Sequence, residues 1–117
     1  MAAEIVLASS LTLIECDRVL IRATAIAGLP EGVAAERRAR LSQVVEHWVL
    51  FDLDAEIVER ARRPFPHEPI RTLDAIHLAT ATLARTLVTD LAVLALDDRV
   101  RKSARLMGLR VLPDGEA

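Results

Sequence analysis

The sequence predicts an α/β fold in which helices cover a parallel β-sheet on both faces. Apolar runs of strand length alternate with helical segments along the 117 residues, which is the pattern of β-α-β units with right-handed crossovers. The predicted strands are short and apolar throughout, as is typical of a sheet buried on both sides. The length fits a single domain over residues 1–113, followed by a frayed tail over 114–117.

The first half of the chain is predicted to contain two strands and two helices. A β-branched run at Ile5–Ala8 indicates a buried strand, and it leads into a helix over Ser10–Ala27. Gly28, with a proline shortly after it, is expected to end this helix. A second helix is predicted over Gly32–Trp48 and a second strand over Val49–Leu53.

The second half alternates helix and strand in the same way. Asp54 is the predicted N-cap of a short helix through Arg62, and the proline-rich segment 63–69 is a loop because proline cannot continue a helix. The later elements are a helix over Thr72–Leu87, a strand over Leu91–Leu96, a helix over Asp98–Met107 closed by Gly108, and a strand over Leu109–Leu112. In the helix from Thr72, the helical period is kept by Leu73, Ile76, Ala79 or Thr80, and Leu83.

The composition excludes several classes of function. Aromatic residues make up 3% of the chain and the formal net charge is -2, so neither base stacking on aromatic rings nor a general nucleic-acid coat is expected. Arginine supplies all the basic residues except Lys102. Arginine suits phosphate geometry, but a high-GC genome, which favours arginine codons, is the better explanation of the bias. A single cysteine, Cys16, and the absence of a bilayer-length apolar run predict a reduced, cytoplasmic setting without membrane contact.

Three acids occupy positions from which they can form one site. Asp97 follows a predicted strand at its carboxyl end, where ligand sites form in open α/β sheets, and Glu15 rises from the same edge in the helix after the first strand. Asp74 lies in the first turn of a helix whose place relative to the sheet the sequence leaves open. Converging carboxylates repel one another unless a cation lies among them, and a hard divalent ion relieves the repulsion. Such an ion supports hydrolysis of a nucleic-acid backbone.

Each acid also has a structural interpretation, which is the stronger one when the acids are taken singly. Thr12 followed three residues later by Glu15 is a capping-box pattern. The helix macrodipole favours Asp74 near a helix start, and Asp97 or Asp98 can cap the helix that follows. Spacing alone therefore does not establish a site.

Three segments resemble PIN-domain toxins of the VapC type. Residues 9–15, Ser-Ser-Leu-Thr-Leu-Ile-Glu, followed by Arg18, resemble the segment around the family's second acid. Residues 73–81, Leu-Asp-Ala-Ile-His-Leu-Ala-Thr-Ala, resemble its most distinctive helix start, which carries the third acid. Residues 96–100 and 104–109 resemble its closing strand, helix and strand. Order and spacing agree along nearly the whole chain.

The resemblance implies a three-layer α/β/α fold and a metal-dependent endoribonuclease of a toxin–antitoxin system. It implies that Glu15, Asp74 and Asp97 are catalytic residues and ligands of Mg2+ or Mn2+, with a bound water as the nucleophile. RNA is the implied substrate and a small antitoxin protein the implied inhibitor. Toxins of this kind often form homodimers.

The sequence departs from the family pattern in two ways. Family members begin with a central strand that ends in an Asp followed by a small hydroxyl residue, and no segment here matches it. Ala95 stands where a Ser or Thr usually precedes the last acid by two positions. Without the central strand we expect unpaired inner edges on the strands at Ile5–Ala8 and Leu91–Leu96 and impaired catalysis. Three explanations for the missing strand stay open: a start codon called too late, a decayed gene, or a chain that fills the gap differently.

Two other functions compete with the ribonuclease hypothesis. A non-catalytic remnant of the same fold would be a protein-binding module that docks an antitoxin or itself. A phosphoacceptor receiver domain would use Asp97 but needs an acidic pair near the N-terminus, which is absent. His77, one turn from Asp74, fits a helix histidine bonded to a neighbour better than a residue that touches substrate.

Overall fold

Two compact units divide the chain, Met1–Asp52 and Leu53–Ala117. The structure is a computed structural model that describes residues 5–114. The tail expected to fray therefore lies, apart from residue 114, outside the described residues. A single domain over residues 1–113 stays a prediction, and each unit is described by itself.

The first unit contains two parallel strands and two helices. Strand β1 is Leu7–Ser9, helix α1 Leu11–Ile26, helix α2 Glu31–Val45 and strand β2 Val49–Phe51. β1 pairs with β2 in parallel, from Leu7 opposite Val49 to Ser9 opposite Phe51. The predicted helices are confirmed, and both strands are shorter than the apolar runs that predicted them, because only three residues of each are paired.

The second unit contains three helices and two parallel strands. Helix α3 is Ala55–Ala61, helix α4 Thr72–Arg85, strand β3 Ala92–Leu94, helix α5 Asp98–Leu106 and strand β4 Arg110–Leu112. β3 pairs with β4 in parallel, from Ala92 opposite Arg110 to Leu94 opposite Leu112. The predicted α/β class and the parallel pairing of its strands are thus confirmed.

Local signals at the helix ends explain where these helices start and stop. Asp54 caps α3 as predicted, since its Oδ1 accepts a hydrogen bond from the Ile57 N–H at 3.0 Å. Gly28 ends α1 with a φ of +73°, a conformation that glycine adopts without strain. The capping box that starts at Thr12 is wrong, because α1 begins at Leu11 and Thr12 is already helical.

The core of the second unit lies along one face of α4, which packs against α3 and α5. The buried residues of α4 are Ala75, Leu78, Ala79, Thr80 and Ala84. Leu73 keeps the helical period in the sequence, yet 45% of it is exposed, so it lies outside the core. The other buried apolar residues of this unit are Ile57, Phe65, Val100, Ala104, Leu109 and Val111. Within residues 5–114, no helix combines the length and apolar character needed to cross a membrane.

Candidate functional site

A shallow depression on the second unit brings together two of the three predicted site residues. It lies between the loop that leads into α4 and the start of α5, and its lining residues are Pro69, Ile70, Arg71, Asp74, Asp97 and Arg99. Asp74 lies at the start of α4, and the rest of that helix and strand β3 separate it in sequence from Asp97. The fold therefore brings two aspartates and two arginines to one concave surface.

Asp97 caps helix α5, as its structural interpretation predicted. Its Oδ1 accepts hydrogen bonds from the Arg99 N–H at 2.9 Å and the Val100 N–H at 3.3 Å. These bonds hold the carboxylate at the helix N-terminus and engage one of its two oxygens, so Oδ2 is not used by the cap. Asp98 is the first residue of α5 and does not cap it. Capping and ligand binding are therefore compatible roles for Asp97.

Asp74 lies in the first turn of α4 and is half-buried. Arg71 is the N-cap position of this helix, and its carbonyl oxygen accepts from the Ala75 N–H at 2.8 Å. A carboxylate so close to a helix N-terminus is stabilised by the helix dipole. The depression thus lies between two helix starts, each of which carries an acid.

The loop on one side of the depression is held by α5. Ser103 is fully buried, and its hydroxyl donates to the His67 carbonyl oxygen at 2.6 Å and accepts from the His67 N–H at 3.0 Å. The Glu68 carboxylate accepts from the Phe65 N–H at 2.7 Å and the Ile70 N–H at 2.6 Å. These bonds satisfy backbone groups that have no partner in regular secondary structure, and they fix the segment that continues into Arg71.

A buried arginine fixes the side of the depression that carries Asp97. Arg101 is 4% exposed, and its guanidinium donates to the carbonyl oxygens of Ala95 at 2.8 Å and Pro113 at 2.7 Å. The Arg101 N–H also donates to the Asp97 carbonyl oxygen at 3.0 Å. Since a charge is buried at low cost only when it is well hydrogen-bonded, these bonds explain its position. They tie the turn that carries Asp97 to the chain after β4.

Glu15 belongs to the first unit, where it lies half-buried in the first turns of α1. Its neighbour Asp17 forms an ion pair with Arg38 of α2, with 3.8 Å between Oδ1 and Nε. Over residues 5–114, no group of three or more His, Cys, Asp or Glu side chains could hold a metal ion. A site built from Glu15, Asp74 and Asp97 together stays a prediction.

The sequence did not predict a role for four residues of this region. Arg71 and Arg99 flank the two acids in the sequence, and that adjacency was the available signal. Arg101 and Ser103 carried no signal, because polar residues in a helix are usually expected to face solvent. Their partners lie 12 and 36 residues away, at Pro113 and His67.

Comparisons with known proteins agree with the resemblance. The sequence model described as PIN domain matches residues 1–106. Ribonuclease VapC35 of Mycobacterium tuberculosis (strain CDC 1551 / Oshkosh) is 34% identical over 109 residues, which cover 93% of this chain and 73% of that protein. Ribonuclease VapC46 of Mycobacterium tuberculosis (strain ATCC 25618 / H37Rv) is 38% identical over 85 residues, which cover 72% of this chain and 61% of that protein. No solved structure matches the chain significantly.

Proposed function

Because the chain belongs to the PIN-domain family, we propose that it is a toxin–antitoxin endoribonuclease that hydrolyses RNA phosphodiester bonds with Mg2+ or Mn2+. Glu15, Asp74 and Asp97 are its proposed catalytic residues and metal ligands. The single observation that carries the proposal is the depression shared by Asp74 and Asp97. Both acids occupy positions that the family resemblance had already marked.

The donors in the depression suit a hard divalent cation. Mg2+ and Mn2+ prefer carboxylate and water oxygens, and Asp74 and Asp97 both line the same concavity. The cap of α5 uses only Oδ1 of Asp97, which leaves Oδ2 as a donor. When bound, such a cation supplies charge neutralisation and activation of water for attack on phosphorus.

The protein's own contribution is to hold these groups before substrate binds. The hydrogen bonds of Asp97 to the first turn of α5 restrict its rotamer, and the Ser103–His67 bonds fix the approach to α4. A site that is organised in advance avoids the cost of ordering its groups during the reaction. Arg71 and Arg99, which also line the depression, have guanidinium donors that match phosphate oxygens.

The direct test is cleavage of a single-stranded RNA by the purified chain with Mn2+, with EDTA, and with the Asp74→Asn variant. We expect cleavage with Mn2+ that stops with EDTA and falls at least about 100-fold in Asp74→Asn, a typical cost of losing a catalytic group. Asp90→Asn is the matched control, because Asp90 is an exposed turn residue of the same unit. Cleavage that ignores both EDTA and Asp74→Asn would show the site to be wrong.

The family pattern has a further strand that ends in an Asp, and we propose that cleavage by the present sequence is weak because it offers no counterpart to that acid. A version extended by such a strand, with Asp followed by Ser or Thr, should cleave faster. If neither version cleaves, yet the chain still binds a small antitoxin, the non-catalytic binding module is the better description.

The proposed partners follow from the same family membership. They are an RNA substrate, a small antitoxin protein that inhibits cleavage and a second copy of the chain in a homodimer. We propose a cytoplasmic location, where RNA and antitoxin are both available. Size-exclusion chromatography with light scattering measures the mass of the purified chain and tests the homodimer.

A further inference from the structure

We propose that Arg71 and Arg99 form a subsite that binds a backbone phosphate of the RNA beside the cleaved bond. This inference rests on the proposed function and goes beyond it, because it assigns substrate binding to two residues outside the acidic set. It starts from the position of both arginines in the depression that also contains Asp74 and Asp97.

Four arginines of the second unit make side-chain contacts that give them a structural role. Arg60 lies over the Phe65 ring, with 4.1 Å from its Cζ to the ring centroid. Arg62 pairs with Glu59 at 3.8 Å, Arg85 donates to the Met107 carbonyl oxygen at 3.0 Å, and Arg101 is buried between two carbonyl oxygens. These side chains are used within the fold.

Arg71 and Arg99 are exposed, as are Arg63 and Arg110. Of these four, Arg71 and Arg99 line the depression. Neither takes part in an ion pair within the part of the chain that the structure describes. Only their backbones are engaged: the Arg71 carbonyl caps α4, and the Arg99 N–H donates to Asp97. The backbones of both arginines are therefore fixed at the N-termini of α4 and α5, and both guanidinium groups are available to an external anion.

The charge of the depression favours a phosphate ligand once a cation is present. The two aspartates and two arginines among its lining residues have opposite formal charges that cancel. Binding of a divalent cation therefore makes the depression positive, whereas without a cation these four residues leave it neutral. A polyanion is attracted more strongly to the first arrangement, and with or without the cation arginine forks bind phosphate oxygens in bidentate geometry.

The test measures binding of a labelled single-stranded RNA to the full chain in EDTA, so that metal-dependent cleavage does not interfere. Arg71→Gln and Arg99→Gln should each raise Kd about five- to tenfold, as expected for loss of a charge-assisted hydrogen bond at an exposed site. The dependence of log Kd on log salt should fall by about 0.7 for each lost phosphate contact. Arg71→Lys, which keeps the charge without the fork, should lie between wild type and Arg71→Gln.

The matched controls are Arg63→Gln and Arg110→Gln. Both residues are exposed arginines of the same unit and neither lines the depression, so general loss of positive charge affects them equally. They should change Kd less than about twofold. In cleavage assays with Mn2+, the subsite variants should raise KM more than they lower kcat, because they weaken binding in ground and transition states alike.

The results separate the subsite from the function on which it rests. If wild type binds and cleaves RNA, but Arg71→Gln and Arg99→Gln match the controls in Kd, the subsite is wrong and the proposed function stands. If the same variants leave Kd unchanged while tightening Mn2+ binding, the arginines only balance the acids and the subsite is again wrong. If wild type neither binds nor cleaves RNA, the proposed function is wrong and the subsite with it.

Discussion

Ser103 and His67 exchange two hydrogen bonds, one in each direction between the serine hydroxyl and the histidine main chain. They connect helix α5, which begins after Asp97, to the loop that continues into Arg71 and Asp74. The pair therefore links the two segments that line the depression, although neither residue lines it.

Ser103→Ala should destabilise the protein by about 1–3 kcal/mol, because both polar groups of the His67 backbone lose their Ser103 partner in a partly buried place. Urea unfolding monitored by circular dichroism measures the change. Ser42→Ala, at an exposed position of α2, should stay within about 0.5 kcal/mol of wild type. Equal stability of the two variants would contradict the role given to the Ser103 hydroxyl.

Arg101→Met should lower the free energy of unfolding by about 2–3 kcal/mol, because methionine keeps the apolar stem but cannot donate to the Ala95 and Pro113 carbonyl oxygens. Thermal and urea unfolding provide the measurement. Lys102→Met changes the next residue along the same helix, where the side chain is exposed, and should be close to neutral. If Arg101→Met is as stable as Lys102→Met, the buried guanidinium does not hold this turn.

Asp97→Asn and Asp97→Ala should separate capping from metal binding. Asparagine also caps helices well, so Asp97→Asn should keep wild-type stability within about 0.5 kcal/mol, whereas Asp97→Ala should lose about 1 kcal/mol. Both variants should lose Mn2+-dependent RNA cleavage, since neither offers a carboxylate. Cleavage that survives in Asp97→Asn would leave Asp97 as a structural cap alone.

Leu78→Ala should cost about 2–5 kcal/mol, because Leu78 is 1% exposed and its removal opens a cavity in the packed face of α4. Leu73→Ala changes the same residue type on the same helix at a position that is 45% exposed. It should cost less than about 1 kcal/mol. A comparable loss in both variants would mean that the buried face of α4 has been assigned incorrectly.

The sequence predicts the order of helices and parallel strands because apolar periodicity and capping residues are local signals. Asp54 and Gly28 mark helix ends through bonds and backbone angles that involve only near neighbours. The same signals fail at Leu73, which keeps the helical period but is exposed. The period alone does not show which apolar residues of a helix the rest of the fold covers. The signals also predict strands that are too long, because the length over which a strand is paired depends on its partner strand as well.

The candidate site is predicted in part for the same reason. Asp74 and Asp97 are found through the pattern of residues around each of them, and the depression places them together. Arg101 and Ser103 are missed because their buried positions depend on carbonyl groups distant in sequence. Only the folded chain reveals which polar side chains satisfy the backbone.

The distance in sequence between Ser103 and His67 bears on the order in which the site is assembled during synthesis. The loop before α4 is made first, and the hydroxyl that fixes it arrives 36 residues later. Until α5 has left the ribosome and docked, this unit lacks the helix start that holds the Asp97 carboxylate and the Ser103 hydroxyl that fixes the loop before Asp74. If the proposed ribonuclease function is correct, a nascent chain that carries Asp74 but not yet α5 is expected to leave nearby RNA intact.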